Sequence, residues 1–332
     1  MAPAAHPQFV EGRTAHFSVV SQSGAALVTT LLAVTLLTIA VVEFAYSSQV
    51  DYHLAHNALK ALQANYLARS GVNLAMLVLK RDGQSASGID SLRDEWAYPL
   101  PPLPAGEGMV MIRVSDEQGK VNLNALRNSN GTINRTWRDV AERLFALREI
   151  EPGVLDPLLD WLDVDDFPEP RGAERDHYSR LTPPYVPANG LLLTLGELGR
   201  IEGFSAAMRT RLAEVITVLP GNNTLVNVNT APGEVLAALF PMVDRQTLET
   251  FLVSRIVVPV RGVNELRERL GFDPKVQTDA FRLVSVRSEF FAVTALASVD
   301  PVSQALSVIV QRRAATVTPM TWQTALPLRG QG

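Results

Sequence analysis

From Ala25 to Val42 the chain reads AALVTTLLAVTLLTIAVV, a run without charge, proline or glycine, in which only the hydroxyls of Thr29, Thr30, Thr35 and Thr38 interrupt apolar positions. A helix needs about 20 such residues to cross hydrocarbon. A core helix would show a polar stripe, so the pattern predicts a membrane span. No small-residue cleavage site of the secretory kind follows Val42. The sequence continues as EFAYSSQVDYHLAHNALKALQANYLARSGVNLAMLVLK, where Leu59, Leu62, Tyr66, Ser70, Leu74 and Leu77 recur at spacings of three and four. That periodicity predicts a second, half-buried stretch of the same helix, with those residues as its inward face.

Beyond the helix, Pro99, Pro101, Pro102 and Pro104 with Gly106 and Gly108 predict a stiff linker, because proline lacks an N–H and restricts its predecessor. MVMIRVSDEQGKVNLNAL then reads as a strand, a turn at Asp116 to Gly119, and a second strand. A long block of helical periodicity follows. The segment FRLVSVRSEFFAVTALASVDPVSQALSVIVQRR predicts two or three antiparallel strands, turning at Asp300 and Pro301. From Ala314 the Thr, Pro, Gln and Gly content reads as a loose tail. Strands on both sides of a helical block predict an α+β fold: a small antiparallel sheet packed on the N-terminal helix, with an α-domain grown from one connection. The expected divisions are a leader (1–24), a membrane helix (25–46), an amphipathic helix with linker and first strands (47–122), an inserted α-domain (123–280), closing strands (281–313) and a tail (314–332).

Composition narrows the function. The 332 residues are 47% hydrophobic, enough for a core. Thirty basic against 34 acidic residues leave a formal charge of −4, which offers no bulk attraction to polyphosphate. The absence of cysteine removes thiolate zinc sites, iron–sulfur clusters, cysteine nucleophiles and disulfides. The sequence holds no Gly-rich phosphate loop, G-x-S-x-G or H-E-x-x-H. His53 and His56 stand three apart on the predicted helix without a third ligand, and His177 lies beside an acidic loop. A chain without enzymatic activity is the expectation.

That loop carries chemistry of its own. Asp156, Asp160, Asp163, Asp165, Asp166, Glu169, Glu174 and Asp176 face only Arg171 and Arg175 in the same stretch. Such density is unfavourable unless solvent or a cation relieves it. An oxygen-only donor set suits Ca²⁺ over zinc or copper. The EF-hand spacing is not met, since Phe167 falls where a ligand belongs. A solvated acidic loop accounts for the same residues.

A helix-hairpin-helix reading is open as well. Two helices meeting at Ile201-Glu202-Gly203-Phe204, followed by NVNTAPGEVLAAL with Asn229 or Thr230 as cap and Pro232 in the first turn, would suit a membrane-tethered DNA-binding protein of a DNA-uptake apparatus. Glu197, Glu202 and Glu214 offset Arg200, Arg209 and Arg211, so the hairpin is expected to be packing architecture, with no nucleic-acid partner.

Two sets of residues carry a family resemblance. The order SQSG, then a helix lipid-soluble first and amphipathic afterwards, resembles the N-terminus of type IV pilins and pseudopilins. The resemblance implies cutting by a prepilin peptidase between Gly24 and Ala25 and methylation of the new amine. Two departures stand out: the leader is long, with Arg13 its nearest cation, and Thr29 occupies the fifth mature position, where most members carry glutamate. Further on, DEQGKVNLNAL, LLDWLDVDD with GAERDHYSRLTPPYVPANGLLLTLGELGRIEGF, and VNVNTAPGEVLAAL are similar, in order and spacing, to the K-type minor pseudopilins of bacterial type II secretion, the general secretion pathway protein K family. That resemblance implies a place at the filament tip, where a subunit lacking the glutamate needs no neighbour above it. It also implies I-, J- and H-type minor pseudopilins and the major pseudopilin as partners, and a single span of the inner membrane with the C-terminal domain in the periplasm. Finally, it implies structural calcium in the α-domain, with Asp163, Asp165, Asp166, Glu174 and Asp176 as expected ligands and Asp160 as orienter or further ligand.

Overall fold

The computed structural model describes residues 22–84, 88–222, 224–273, 278–314 and 316–325. The expected leader lies almost wholly outside them. Two compact units are present, Met1–Leu59 and Lys60–Gly332.

In the first unit the described residues belong to helix α1, Gln22–Gly83, which continues into the second. From Gly24 onward it is long and apolar enough to cross a membrane, with mean hydropathy 2.5 over its most apolar window and none of that window buried. The threonine hydroxyls satisfy themselves within the helix: Thr30 donates to Ala26 O (2.6 Å), Thr35 to Leu31 O (2.8 Å) and Thr38 to Val34 O (2.8 Å). No polar group of these side chains is left to be solvated by lipid.

In the second unit α1 reaches the sheet with small residues. Ala64, Ala68, Val72, Ala75 and Leu79 are buried, whereas Leu62, Tyr66 and Leu77 are more than half exposed. The face expected from Leu59, Leu62, Tyr66, Ser70, Leu74 and Leu77 is therefore the outward one. Alanine and glycine let the helix approach a sheet closely, so the inward stripe is the less hydrophobic of the two.

Among the described residues nine strands follow: β1 (Leu103–Ala105), β2 (Gly108–Asp116), β3 (Val121–Asn122), β4 (Ile216–Thr217), β5 (Val226–Asn227), β6 (Val284–Ser285), β7 (Phe290–Val299), β8 (Val302–Arg313) and β9 (Thr316–Ala325). Five form an antiparallel sheet in the order β1-β2-β7-β8-β9. Alternating Val110 and Ile112, Phe291, Val293 and Ala295, and Leu306, Val308 and Val310 make one side of it apolar. Trp96 meets Phe291 edge-on at 5.1 Å in the same core.

Three expectations give way here. The proline-rich linker supplies β1, an edge strand, where proline is tolerated. The second strand expected after Asp116 is only two residues and leaves for the helical domain, since β3 pairs in parallel with β4. The tail contains β9, which pairs with β8 through a bulge at Ile309/Val310 and places Trp322 beneath the guanidinium of Arg69. Thr316, Val317, Thr318, Thr321 and Trp322 favour a pleated, half-buried surface more than the Pro and Gln content disfavours it.

Between β2 and β7 lies the helical domain: α2 (Arg135–Leu147), α3 (Leu155–Leu162), α4 (Arg175–Tyr178), α5 (Ala206–Leu212), α6 (Gly233–Leu239), α7 (Arg245–Val257) and α8 (Val263–Arg269). It is an internal duplication. Val121-Asn-Leu-Asn and Val226-Asn-Val-Asn open the two halves, and 192–217 matches 260–285 without a gap. The side chain of Asn124 brackets Leu192, donating to its carbonyl (2.9 Å) and accepting from its N–H (2.8 Å). Asn229 brackets Val260 in the same way (3.0 and 2.8 Å). Val121 N–H donates to Val215 O and Val226 N–H to Leu283 O. Gly203 and Gly271 both take positive φ, +84° and +74°, in the turn before a phenylalanine. Asn229 and Thr230 are thus occupied elsewhere, and Pro232 stands at the N-cap of α6.

The domain meets the sheet at Asp116. Its Oδ1 accepts from Gln118 N–H (2.8 Å), and its Oδ2 from the Ser288 (2.5 Å) and Thr230 (2.6 Å) hydroxyls and the Asn227 amide (3.0 Å). Burial pushes this carboxyl up to about 6 against the pull of those hydrogen bonds. Asn124→Ala or Asn229→Ala should each cost about 2–4 kcal/mol in denaturant unfolding, because each leaves a buried N–H and carbonyl unpaired. A raised folded-state pKa means that the stability contributed by Asp116 is full below its unfolded value of 3.8 and is lost as pH rises through about 6. The gain in unfolding free energy between pH 7.5 and pH 5 should accordingly shrink by about 1 kcal/mol in Asp116→Asn.

Candidate metal centre

α3 and the loop after it build the acidic site. Leu155, Leu158, Leu159 and Leu162 recur at helical spacing and are all buried. That arrangement turns Asp156 and Asp160 to the other side, and Asp163 closes the helix as C-cap, its N–H donating to Leu159 O at 3.0 Å. The chain then loops back, and Glu174 starts α4 without using its carboxylate as a cap.

Three of the expected ligands, Asp160, Asp163 and Glu174, are buried. Asp160 is fully buried, with Oδ1 accepting from Glu169 N–H at 2.9 Å and Oδ2 unpartnered. Asp163 Oδ1 and both oxygens of Glu174 are also buried without a hydrogen-bond partner. A Cβ on Gly172 would overlap Asp160 Oδ2, so glycine keeps that space open for the carboxylate. Burial first, and then the neighbouring charges of Asp165, Asp160 and Glu169, push Asp163 up to about 7. Burial and the charges of Asp160, Asp163 and Asp166 do the same to Glu174. Burial also raises Asp160.

The other three expected ligands are exposed. Asp165 accepts from Phe167 N–H (3.0 Å), and Asp166 accepts from the Asn189 amide (3.3 Å) and lies 3.8 Å from Arg175. Asp156 and Glu169 are drawn to Arg138, at 3.5 and 3.2 Å. His177 faces Glu202 at 3.2 Å. Among the described residues, the carboxylates whose oxygens all come within 4.8 Å of one another are Asp82, Asp90 and Asp94, and not the predicted six. That triplet has its own cation, since Arg312 pairs with Asp82 (2.5 Å) and with Asp90.

Four buried carboxylate oxygens without donors fit a hard cation. An all-oxygen set with several negative charges matches the demands of Ca²⁺. Asp160, Asp163 and Glu174 would hold it, with Asp165, Asp166 and Asp176 at hand in the same loop. A cation held there would supply the counter-charge that these carboxylates lack among the described residues.

Gly24 and Ala25 both lie inside α1, and a side chain at Gly24 would meet nothing within 4 Å. His53 and His56 are exposed on the same helix, the latter stacked on Tyr52.

A long apolar helix whose second part packs on a small antiparallel sheet, with an α-domain inserted between neighbouring strands, defines a pseudopilin of the type that carries an added domain. Sequence models described as type II secretion system (T2SS), protein K, match residues 119–221 and 226–286, the two halves of the duplication. Protein K of Pseudomonas aeruginosa is 35% identical over 229 residues, covering 66% of this chain and 68% of its own length. That of Aeromonas hydrophila is 30% identical over 231 residues, covering 66% and 70%. The fold is similar to a chain in the crystal structure of the GspK-GspI-GspJ complex from the enterotoxigenic Escherichia coli type 2 secretion system. There the TM-score is 0.67 at 18% identity, over 82% of this chain and 99% of that one. The chain belongs to the type II secretion system protein K family and is a minor pseudopilin of type II secretion. Nothing in these comparisons supports the DNA-uptake alternative.

Calcium added to chelator-treated protein should raise the thermal midpoint, by the equivalent of about 2.7 kcal/mol at a hundredfold excess over Kd. Glu174→Gln should abolish that gain and, in chelator above pH 7, melt higher than the parent, because the amide removes one repelling charge. An unchanged midpoint on adding calcium to the parent would exclude the site.

Proposed function

We propose that this minor pseudopilin stands at the tip of the type II secretion filament, where it starts or caps assembly. One observation carries the reading. The hydroxyl of Thr29, which would be the fifth mature residue after cleavage at Gly24, is spent on its own helix, donating to Ala25 O (3.1 Å) and Ala26 O (3.0 Å). A glutamate there would need the amine of a subunit above it, since an unpaired carboxylate in the membrane costs at least about 2.5 kcal/mol. Threonine needs no such neighbour, and a subunit with none above it is the terminal one. The bulk of the inserted domain agrees, because it would obstruct a subunit stacked above.

The outward stripe of Leu62, Tyr66, Leu74 and Leu77 supports helix-to-helix packing with the I-, J- and H-type minor pseudopilins and the major pseudopilin. The chain of similar fold belongs to a GspK-GspI-GspJ complex. The prepilin peptidase would act between Gly24 and Ala25 and leave a methylated amine. The apolar helix would then anchor the chain once in the inner membrane, with residues beyond it in the periplasm. Calcium would be structural, fixing the acidic loop on α3, and the four unpartnered oxygens support that role.

Mass spectrometry of the mature chain should find methylated Ala25 as the first residue. Deleting the gene should stop release of type II substrates while they still cross the inner membrane and accumulate in the periplasm. A mature protein that retains Gly24 in the presence of active peptidase, or normal secretion without the gene, would exclude the proposal.

A further inference from the structure

The two halves of the helical domain treat equivalent helices differently. In the first half, the segment between Asp163 and Leu192 roofs the outer side of α3. Glu169 N–H donates to Asp160, Gly190 N–H donates to Trp161 O (3.2 Å), and the rings of Tyr178 and Tyr185 lie 5.4 and 6.4 Å from that of Trp161. Every residue of α3 is buried in consequence.

In the second half α7 holds the corresponding place. Leu248, Phe251 and Arg255 face inward, as the leucines of α3 do. Arg255 is sunk beneath the helix, donating to Val228 O (2.5 Å) and Ala231 O (2.6 Å). Here only Val258 and Pro259 separate α7 from Val260, the partner of Asn229. There is no roof. Val253 is 68% exposed, and Ile256 and Val257, at helical spacing from it, are 53% and 64% exposed. Val258 follows at 54%. A β-branched stripe of this kind on a solvated helix marks a surface that is covered in use.

The rim tells what covers it. Arg93 reaches across from the segment after α1 and donates to Val257 O (2.6 Å), and Arg269 donates to Val258 O (2.7 Å) while pairing with Glu265. Arg261, the residue after Val260, is exposed. Arg93 and Arg261 thus border an apolar strip whose flanking carboxylates, Glu249 and Glu265, are already paired with Arg245 and Arg269, and where the same fold supplies its own cover, that cover is a run of carboxylates carrying two tyrosines. We infer that the α7 face is a docking site for an acidic, aromatic-bearing segment of another protein, which takes the place that residues 163–191 take in the first half. Aromatic anchors would fill the Val253, Ile256 and Val257 strip, and carboxylates would meet Arg93 and Arg261. This inference does not depend on a place at the filament tip.

The test uses the full chain in secreting cells, with Val253→p-benzoylphenylalanine as photo-crosslinker and the same residue at Thr210 as control. The expected result is one adduct from position 253 and none from 210, with the crosslinked peptide net acidic and containing Phe, Tyr or Trp. Adding Ile256→Asp or Arg93→Glu should remove most of the adduct without lowering the thermal midpoint. Should Ile256→Asp unfold the domain, Ile256→Ser serves instead. No adduct at 253, an adduct with lipid or with a second copy of this chain, a crosslinked peptide that is basic or lacks an aromatic, or an adduct indifferent to these substitutions would each overturn the inference.

Discussion

A domain inserted between two neighbouring strands must leave and re-enter its host sheet at one point, and the buried carboxylate of Asp116 is where this chain meets that constraint. β2 ends at Asp116 opposite Phe291, so the departing and returning chains lie side by side. Asp116 gathers donors from both halves of that crossing, Thr230 and Asn227 from the second repeat and Ser288 from the returning chain just before β7. Gln118 closes the gap by accepting from the N–H groups of Glu289 and Phe290. Ser288 N–H in turn binds Asp90, and Arg312 joins Asp90 to Asp82 in the last turn of α1. One connected polar network therefore fixes stem, sheet and inserted domain within the second unit. Such a network specifies geometry more than it adds stability, because each buried charge costs desolvation that its partners roughly offset.

The acidic loop follows a different logic. Arg138 neutralises Asp156 and Glu169, but no cation among the described residues pairs with Asp160, Asp163 or Glu174. Burial makes their repulsion stronger, since charges in a low-dielectric setting are less screened. The duplication sharpens the contrast. The second repeat fills the equivalent region with two residues and needs no ion, whereas the first carries a long roof whose inner surface is carboxylate. A roof of this composition has its repulsion relieved by protonation, as the raised pKa values of Asp163 and Glu174 indicate, or by a cation of the kind proposed above, and its rings pack on Trp161 at 5.4 and 6.4 Å.

Much of the architecture was legible in sequence, for reasons that particular residues make plain. The apolar run from Ala25 to Val42 has few rival interpretations, and the Val- and Phe-rich segments near the C-terminus read directly as β7 and β8. The inward face of α1 was not legible, because hydrophobicity ranks leucine and tyrosine above alanine while close packing ranks them the other way. β9 was hidden by a composition dominated by Thr, Pro and Gln. The duplication leaves only a faint sequence signal, in VNLN against VNVN, 105 residues apart, and in Glu197-Leu198 with Gly203-Phe204 against Glu265-Leu266 with Gly271-Phe272, 68 apart. The unequal spacings, caused by the roof over α3, conceal a repeat that the paired asparagine brackets reveal at once. For the acidic site, the residue types pointed to oxygen chemistry, but only the fold separates buried Asp160, Asp163 and Glu174 from exposed Asp165, Asp166 and Asp176.

The division of labour on α1 explains why its pattern misleads. A helix that served only its own sheet would turn its largest apolar residues inward. Here Ala64, Ala68, Val72 and Ala75 take the inward face, and Leu62, Tyr66 and Leu77 are left outside, continuing the apolar character of the segment before them. In lipid, where hydrophobicity alone does not drive helices together, association depends on van der Waals packing and polar contacts. In water the same outward residues would be a liability unless another surface met them. A helix built this way fits the proposed function, in which it would meet hydrocarbon first and other protein helices afterwards. The small-residue stripe that holds the sheet is the feature that leaves the large ones free for that purpose.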